Sequence, residues 1–159
     1  MKTLVVFYSL EGNTKLVANM IAEELGAEIL ELKPKKEIPK GKFLKFVWGG
    51  KSVIFGEKPE LLNQIPKMEA YDTVFIGTPI WAGTFAPPIN TFISSNIISD
   101  KKVAFFACNA GGGAKKCFGK LKTLFINNII IGSIDFVDPA KQNKERVEEE
   151  VKAWIKKIS

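Results

Sequence analysis

Three apolar runs in this chain show no alternation of polar and apolar positions. They are Leu4–Phe7 within TLVVFY (residues 3–8), Val74–Ile76 within DTVFIGT (72–78), and Val103–Cys108 within KVAFFAC (102–108). A strand sends successive side chains to opposite faces, so a run that is apolar throughout has to be covered on both sides. The stretches between the runs change to helical spacing. Over 14–25, Val17, Met20, Ile21 and Leu25 fall on one stripe, and Gly26 supplies a stop. Pro87-Pro88 opens a second helix in which Ile89, Phe92, Ile93 and Ile97 recur at three- and four-residue steps. A third helix is predicted near 114–125. A last one follows residue 137, with Val147, Val151, Trp154, Ile155 and Ile158 on one face. In that last helix acids lie near the start and Lys156-Lys157 at the end, as the helix dipole favours. Shorter strands are predicted at 27–33 and 128–137.

Five strands alternating with helices require parallel crossovers. The predicted fold is therefore α/β: a doubly wound, five-stranded parallel sheet with helices on both faces, formed by residues 1–159 as a single domain. At 159 residues and 46% apolar composition, the chain has enough material for one substantial core. No repeat or low-complexity tract interrupts the pattern.

The chain contains no histidine, which removes His-based triads, histidine–metal sites and imidazole acid–base chemistry. Its two cysteines, Cys108 and Cys117, lack CxxC spacing and read as reduced thiols. The N-terminal apolar run is too short for a membrane span and leads into polar residues without a cleavage-like site, so a cytoplasmic protein without stable membrane insertion is expected. The net charge of +6 is unevenly placed: Lys33–Lys58 holds eight lysines against two acids, while the remaining positions carry 15 of each sign. The middle of that stretch, residues 41–56 (GKFLKFVWGGKSVIFG), has the look of a helix broken at Gly49-Gly50.

In a doubly wound sheet, ligands bind beyond the carboxyl ends of the strands. Three turns at such ends carry unusual chemistry. Ser9-Leu10-Glu11-Gly12-Asn13-Thr14 is a strand-to-helix turn rich in hydroxyls and small residues, placing backbone N–H groups at a helix N-terminus. That arrangement suits an anion, with the Ser9 and Thr14 hydroxyls as extra donors; an ordinary turn with an Asn cap is the plainer alternative. It matches neither GxxxxGK[ST] nor GxGxxG. Thr78-Pro79-Ile80-Trp81-Ala82-Gly83 leaves an indole on a loop, either folded back on the core or offered to a planar ligand. Cys108-Asn109-Ala110-Gly111-Gly112 runs into Gly113, either for close backbone approach to a ligand or simply as a flexible turn. Taken together, the three turns describe one ligand, with a phosphate at the first and a flat ring between the other two.

This combination resembles the flavodoxin family. Ser9, Gly12 and Thr14 match that family's Ser/Thr-x-Thr-Gly-x-Thr phosphate loop, with Glu11 in place of the middle threonine. GTPIWAG (77–83), followed by PPI, is similar to its second flavin loop. The resemblance implies strand order 2-1-3-4-5, FMN as cofactor, and a backbone carbonyl near Ala82-Gly83 that turns toward the flavin. It also implies phosphate contacts from Ser9, Asn13 and Thr14 with backbone donors from Leu10 to Gly12. The ring would lie between Thr78–Gly83 and Cys108–Gly112, with Trp81 as its stacking surface. The Glu11 side chain is expected to face solvent.

The expected function is electron transfer through a non-covalently bound flavin. Two departures favour an NAD(P)H-dependent FMN reductase of quinones or nitro compounds instead: the third loop has no tyrosine to stack, and electron-carrying relatives are typically acidic. The Lys33–Lys58 stretch would be a solvated surface helix, a docking surface for an acidic redox partner such as a ferredoxin, or, last in order, a membrane-surface contact. Nucleic-acid binding is not expected, since the basicity is confined to one segment.

Overall fold

The structure is a computed structural model that describes residues 1–37, 56–96 and 98–159. In chain order its elements are β1 (Thr3–Phe7), α1 (Asn13–Leu25), β2 (Glu28–Glu31), β3 (Thr73–Trp81), β4 (Thr84–Phe85), α2 (Pro87–Ser95), β5 (Lys102–Asn109), α3 (Ala114–Leu124), β6 (Ile129–Val137) and α4 (Lys144–Ile158). Short 3₁₀ turns at Met68–Ala70 and Pro139–Lys141 precede β3 and α4. The sheet runs β2-β1-β3-β5-β6, every one of these pairs parallel, with β4 antiparallel to β3 off this path. Counted over the five parallel strands, this is the 2-1-3-4-5 order of the sequence analysis.

The apolar runs do what their lack of alternation requires. Leu4, Val6, Tyr8, Val74, Ile76, Val103 and Phe105 face one layer, where Ile89 and Phe92 of α2 and Phe118 and Leu121 of α3 cover them. Val5, Phe7, Phe75, Ala104 and Phe106 face the other, under Val17 and Ile21 of α1 and Val147, Val151 and Ile155 of α4. Burying one such side chain contributes about 1.5–3 kcal/mol, so each face has its own reason to hold its helices. Gly26 ends α1 in the left-handed conformation, and Asn143 Oδ1 caps α4 by accepting from the Arg146 N–H at 2.9 Å.

One element departs from expectation. β3 does not stop at residue 78 but continues to Trp81, because β4 folds back on it with Ile80 opposite Phe85 and Trp81 opposite Thr84. The expected loop is thus mostly strand, closed by a two-residue turn at Ala82-Gly83. Both turn residues have positive φ, 49° and 70°, as a tight hairpin of the right twist demands. The predicted helix over 41–56 lies almost wholly outside the described residues, as does Ile97. No helix among the described residues is long and apolar enough to cross a membrane.

The chain leaves β1 toward β2 and leaves β3 toward β5, on the opposite side. The turns after β1 and β3 therefore diverge from neighbouring strands and leave a crevice between them.

Candidate functional site

That crevice is an open cleft lined by all three of the singled-out turns. Ser9, Leu10, Glu11, Asn13 and Thr14 form one end. Pro79, Ile80 and Trp81 form a wall, and Cys108, Asn109 and Ala110 the facing one. Gly12 lies in an adjoining hollow with Lys15 and Glu31. Thr78, Ala82, Gly83, Gly111 and Gly112 were singled out in the sequence but do not line the cleft.

The first turn leaves backbone donors open and forms a cradle. Gly12 is the N-cap of α1, and no side chain caps this helix. The Gly12 N–H donates to Ser9 Oγ at 3.1 Å, and the first intrahelical bond runs from Leu16 N–H to the Gly12 carbonyl at 2.9 Å. The N–H groups of Asn13, Thr14 and Lys15 precede that bond and so find no acceptor within the helix. With the helix dipole behind them they present a concave set of donors that a phosphate would satisfy. Ser9 keeps its own proton to donate. The Lys15 ammonium is turned aside, 2.8 Å from the Glu31 carboxylate. Glu11 is exposed at the mouth.

Asn13 and Thr14 also serve the fold. Asn13 Oδ1 accepts from the Ala140 N–H at 2.9 Å, tying the cradle to the 3₁₀ turn after β6. Thr14 is buried, and its hydroxyl hydrogen-bonds the Cys108 thiol. Burial is the main influence on that thiol; with Asp135 and Asp138 adding to it against the Thr14 bond, its pKa is pushed up to about 12. Cys108 is thus a protonated, buried thiol rather than a nucleophile.

The walls are held by polar clasps. Thr78 is fully buried; its hydroxyl accepts from the Ala86 N–H at 2.9 Å and donates to the Pro79 carbonyl at 2.8 Å, fastening the end of β3 to the start of α2. Asn109 Oδ1 accepts from the N–H groups of Gly111 and Gly112 at 2.9 and 2.8 Å, and its Nδ2 donates to Asp135 Oδ2 at 2.9 Å. The two outer walls touch at Gly113 and Gly83. A Cβ on Gly113 would stand 3.0 Å from Ile80 Cγ2 and 3.1 Å from Gly83 Cα, with φ already at +90°. Only glycine allows the hairpin and the third turn to meet there.

Trp81 has two surroundings. It is 8% exposed and belongs to the core layer under α2 and α3, yet its remaining surface lines the cleft. Asp138 also lines the cleft, a residue the sequence analysis missed. The signal was available: Asp138 directly follows the carboxyl end of β6, where the sheet rule places ligands.

The sequence profile of the flavodoxin family matches residues 2–158. The chain belongs to the flavodoxin family. No curated protein matches it in sequence. Among solved structures, this flavodoxin-family chain is similar to a flavoprotein of Lactobacillus acidophilus determined in complex with FMN, at 26% identity and a TM-score of 0.75, covering 84% of this chain and 92% of that one. A Bacteroides uniformis protein assigned as a flavoprotein is 27% identical, with a TM-score of 0.82 over 98% of this chain and 97% of that one. A third, from Bacteroides eggerthii and assigned likewise, is 22% identical with a TM-score of 0.81 over 99% and 97%, a likeness of fold.

Proposed function

We propose that this chain binds FMN non-covalently in the cleft and works as an electron carrier. The observation that carries the reading is the uncapped first turn of α1, with three N–H groups that find no acceptor among the described residues and the Ser9 hydroxyl, facing a cleft walled by Ile80–Trp81 and Asn109–Ala110. The residues suit the group: donors without acceptors for a phosphate, and flat apolar walls for a ring. FMN, when bound, supplies one- and two-electron redox chemistry. The chain's own part is to hold it. Ser9, Asn13 and Thr14, with the backbone from Leu10 to Lys15, take the phosphate. Trp81 and Ile80 exclude water from one side of the ring, and the turn at Ala82-Gly83 positions a carbonyl at its rim. On this reading residues 1–159 act as one domain in the cytoplasm, with a separate redox protein as partner.

One observation favours a second reading, an NAD(P)H-dependent reductase of quinones or nitro compounds. The wall formed by the third turn offers only Cys108, Asn109, Ala110 and glycines, with Ala110, Gly111 and Gly112 exposed, so that side is open to a flat substrate.

Fluorescence titration of FMN with the apo chain tests the binding, and unquenched fluorescence at high protein would overturn it. An anaerobic reductive titration separates the two roles. Two resolved one-electron steps support the carrier, whereas a single two-electron step supports the reductase.

A further inference from the structure

Outside Lys33–Lys58 the charges balance in number, but not in place. From residue 101 to residue 134 there are six lysines and no acid. Four of them, Lys115, Lys116, Lys120 and Lys122, lie on α3, and none of the four is in an ion pair among the described residues.

The exposed side of α3 is unfavourable for its own helix in three ways. Lys115 and Lys116 occupy the first turn of a helix whose N-cap, Gly113, has no side-chain cap, so their charge opposes the dipole. Lys116 and Lys120 are like charges at i,i+4. Gly119 sits mid-helix, exposed, where a Cβ would meet nothing within 4 Å, so no internal packing requires a glycine that lowers helix stability. Residues at i−4, i−3 and i+3 flank Gly119 on a helix surface, and these are Lys115, Lys116 and Lys122. Gly119 thus leaves a notch without a side chain, flanked along the helix surface by three lysine positions.

The N-terminal end of this face adjoins the cleft. Gly113 packs against Ile80 and Gly83, and a Cβ built on Gly83 would stand 3.0 Å from Lys116 Cδ, so the lysine stem crosses the hairpin turn.

We infer that the exposed face of α3 is the docking surface for an acidic electron-transfer protein, with the Gly119 notch admitting its carboxylates. The inference rests on the flavin reading for its purpose, since a partner seated there lies beside the hairpin that borders the cleft. It places docking on α3 rather than in Lys33–Lys58. Charge complementarity selects the partner: an acidic surface meets four uncompensated lysines, and steering raises the encounter rate.

The probe is an oxidised, acidic plant-type ferredoxin, titrated calorimetrically into the FMN-loaded chain at low and high ionic strength. Lys120→Glu/Lys122→Glu is expected to weaken binding about tenfold or more, and Gly119→Gln to weaken it by blocking the notch with no change of charge. Lys156→Glu/Lys157→Glu on α4, which covers the opposite face of the sheet, is the matched control and keeps wild-type affinity. Salt-insensitive binding, no binding, or equal loss in the α3 and α4 variants would overturn the inference. So would α3 variants that lose NADPH binding but keep ferredoxin, which would make the notch a dinucleotide-phosphate site. FMN affinity is measured on each variant separately. A wild-type chain that takes no FMN would sink the flavin reading alone, because ferredoxin binding is then read on the apo chain.

Discussion

Trp81 meets Tyr8 edge to face, with ring centroids 6.0 Å apart and planes at 84°. The contact gives the indole a fixed orientation before any ligand arrives, as aromatic pairs of this geometry favour. It comes with a defect: among the described residues the buried Tyr8 hydroxyl has no hydrogen-bond partner. Burial, with a smaller contribution from Glu37, holds the phenol well above its ordinary pKa. An unanswered buried hydroxyl costs about 1–3 kcal/mol, while the ring itself does the packing. Tyr8→Phe is therefore expected to equal or exceed the wild type in stability, by up to about 1 kcal/mol. Urea unfolding measures this, and a loss of more than that amount would mean the hydroxyl has a partner.

The hairpin at Ala82-Gly83 holds a second defect. Ala82 sits at φ 49°, where a Cβ is disfavoured and where Asn is the preferred first residue of such a two-residue turn. Ala82→Asn should stabilise the apo protein by about 0.5–1 kcal/mol if relief of this strain is the main effect. A thermal melt reads the gain directly. An unchanged or lower midpoint would show that the alanine is not strained in solution.

Asn109 holds the third turn through two accepted N–H bonds and one donated to Asp135. Removing the carboxamide leaves two backbone N–H groups without their acceptor, so Asn109→Ala should cost about 1–3 kcal/mol of stability. It should also weaken FMN binding, since the wall formed by Asn109 and Ala110 would no longer be held. Asp135→Asn is the discriminating partner variant. It keeps an acceptor for Nδ2, and FMN affinity close to wild type would show that the hydrogen bond matters and not the charge.

How much of this was legible in the sequence follows from the range of the interactions. β1 and β5 were readable because both of their faces are buried, which makes every position apolar. The turn between β1 and α1 was readable because hydroxyls and a glycine between a strand and a helix are a local signal. β4 was not, because a two-residue strand has no period of its own and exists only through its pairing with Ile80 and Trp81. The polar clasps were hidden for a similar reason. Asn109 and Thr78 look like ligands in sequence, and only the folded chain brings Asp135 and the Ala86 N–H to them.

Both thiols predict an alkaline limit to stability. Burial pushes Cys108 and Cys117 from the ordinary value of 9.0 up to about 12. Below pH 9 the thiols are protonated in folded and unfolded chains alike, so their contribution is fully present. Above it the unfolded chain releases its thiol protons while the folded chain keeps them. The unfolded state then binds fewer protons, and stability falls as pH rises. The loss approaches about 1.4 kcal/mol per pH unit for each thiol and continues until the folded groups ionise near pH 12. Tyr8, also raised, adds to the decline once unfolded tyrosine ionises near 10. Denaturant unfolding at half-unit steps from pH 8 to pH 10.5 gives the profile, and Cys117→Ala should flatten it by one thiol's share. A profile level across that range would show that neither thiol is kept from ionising by the fold.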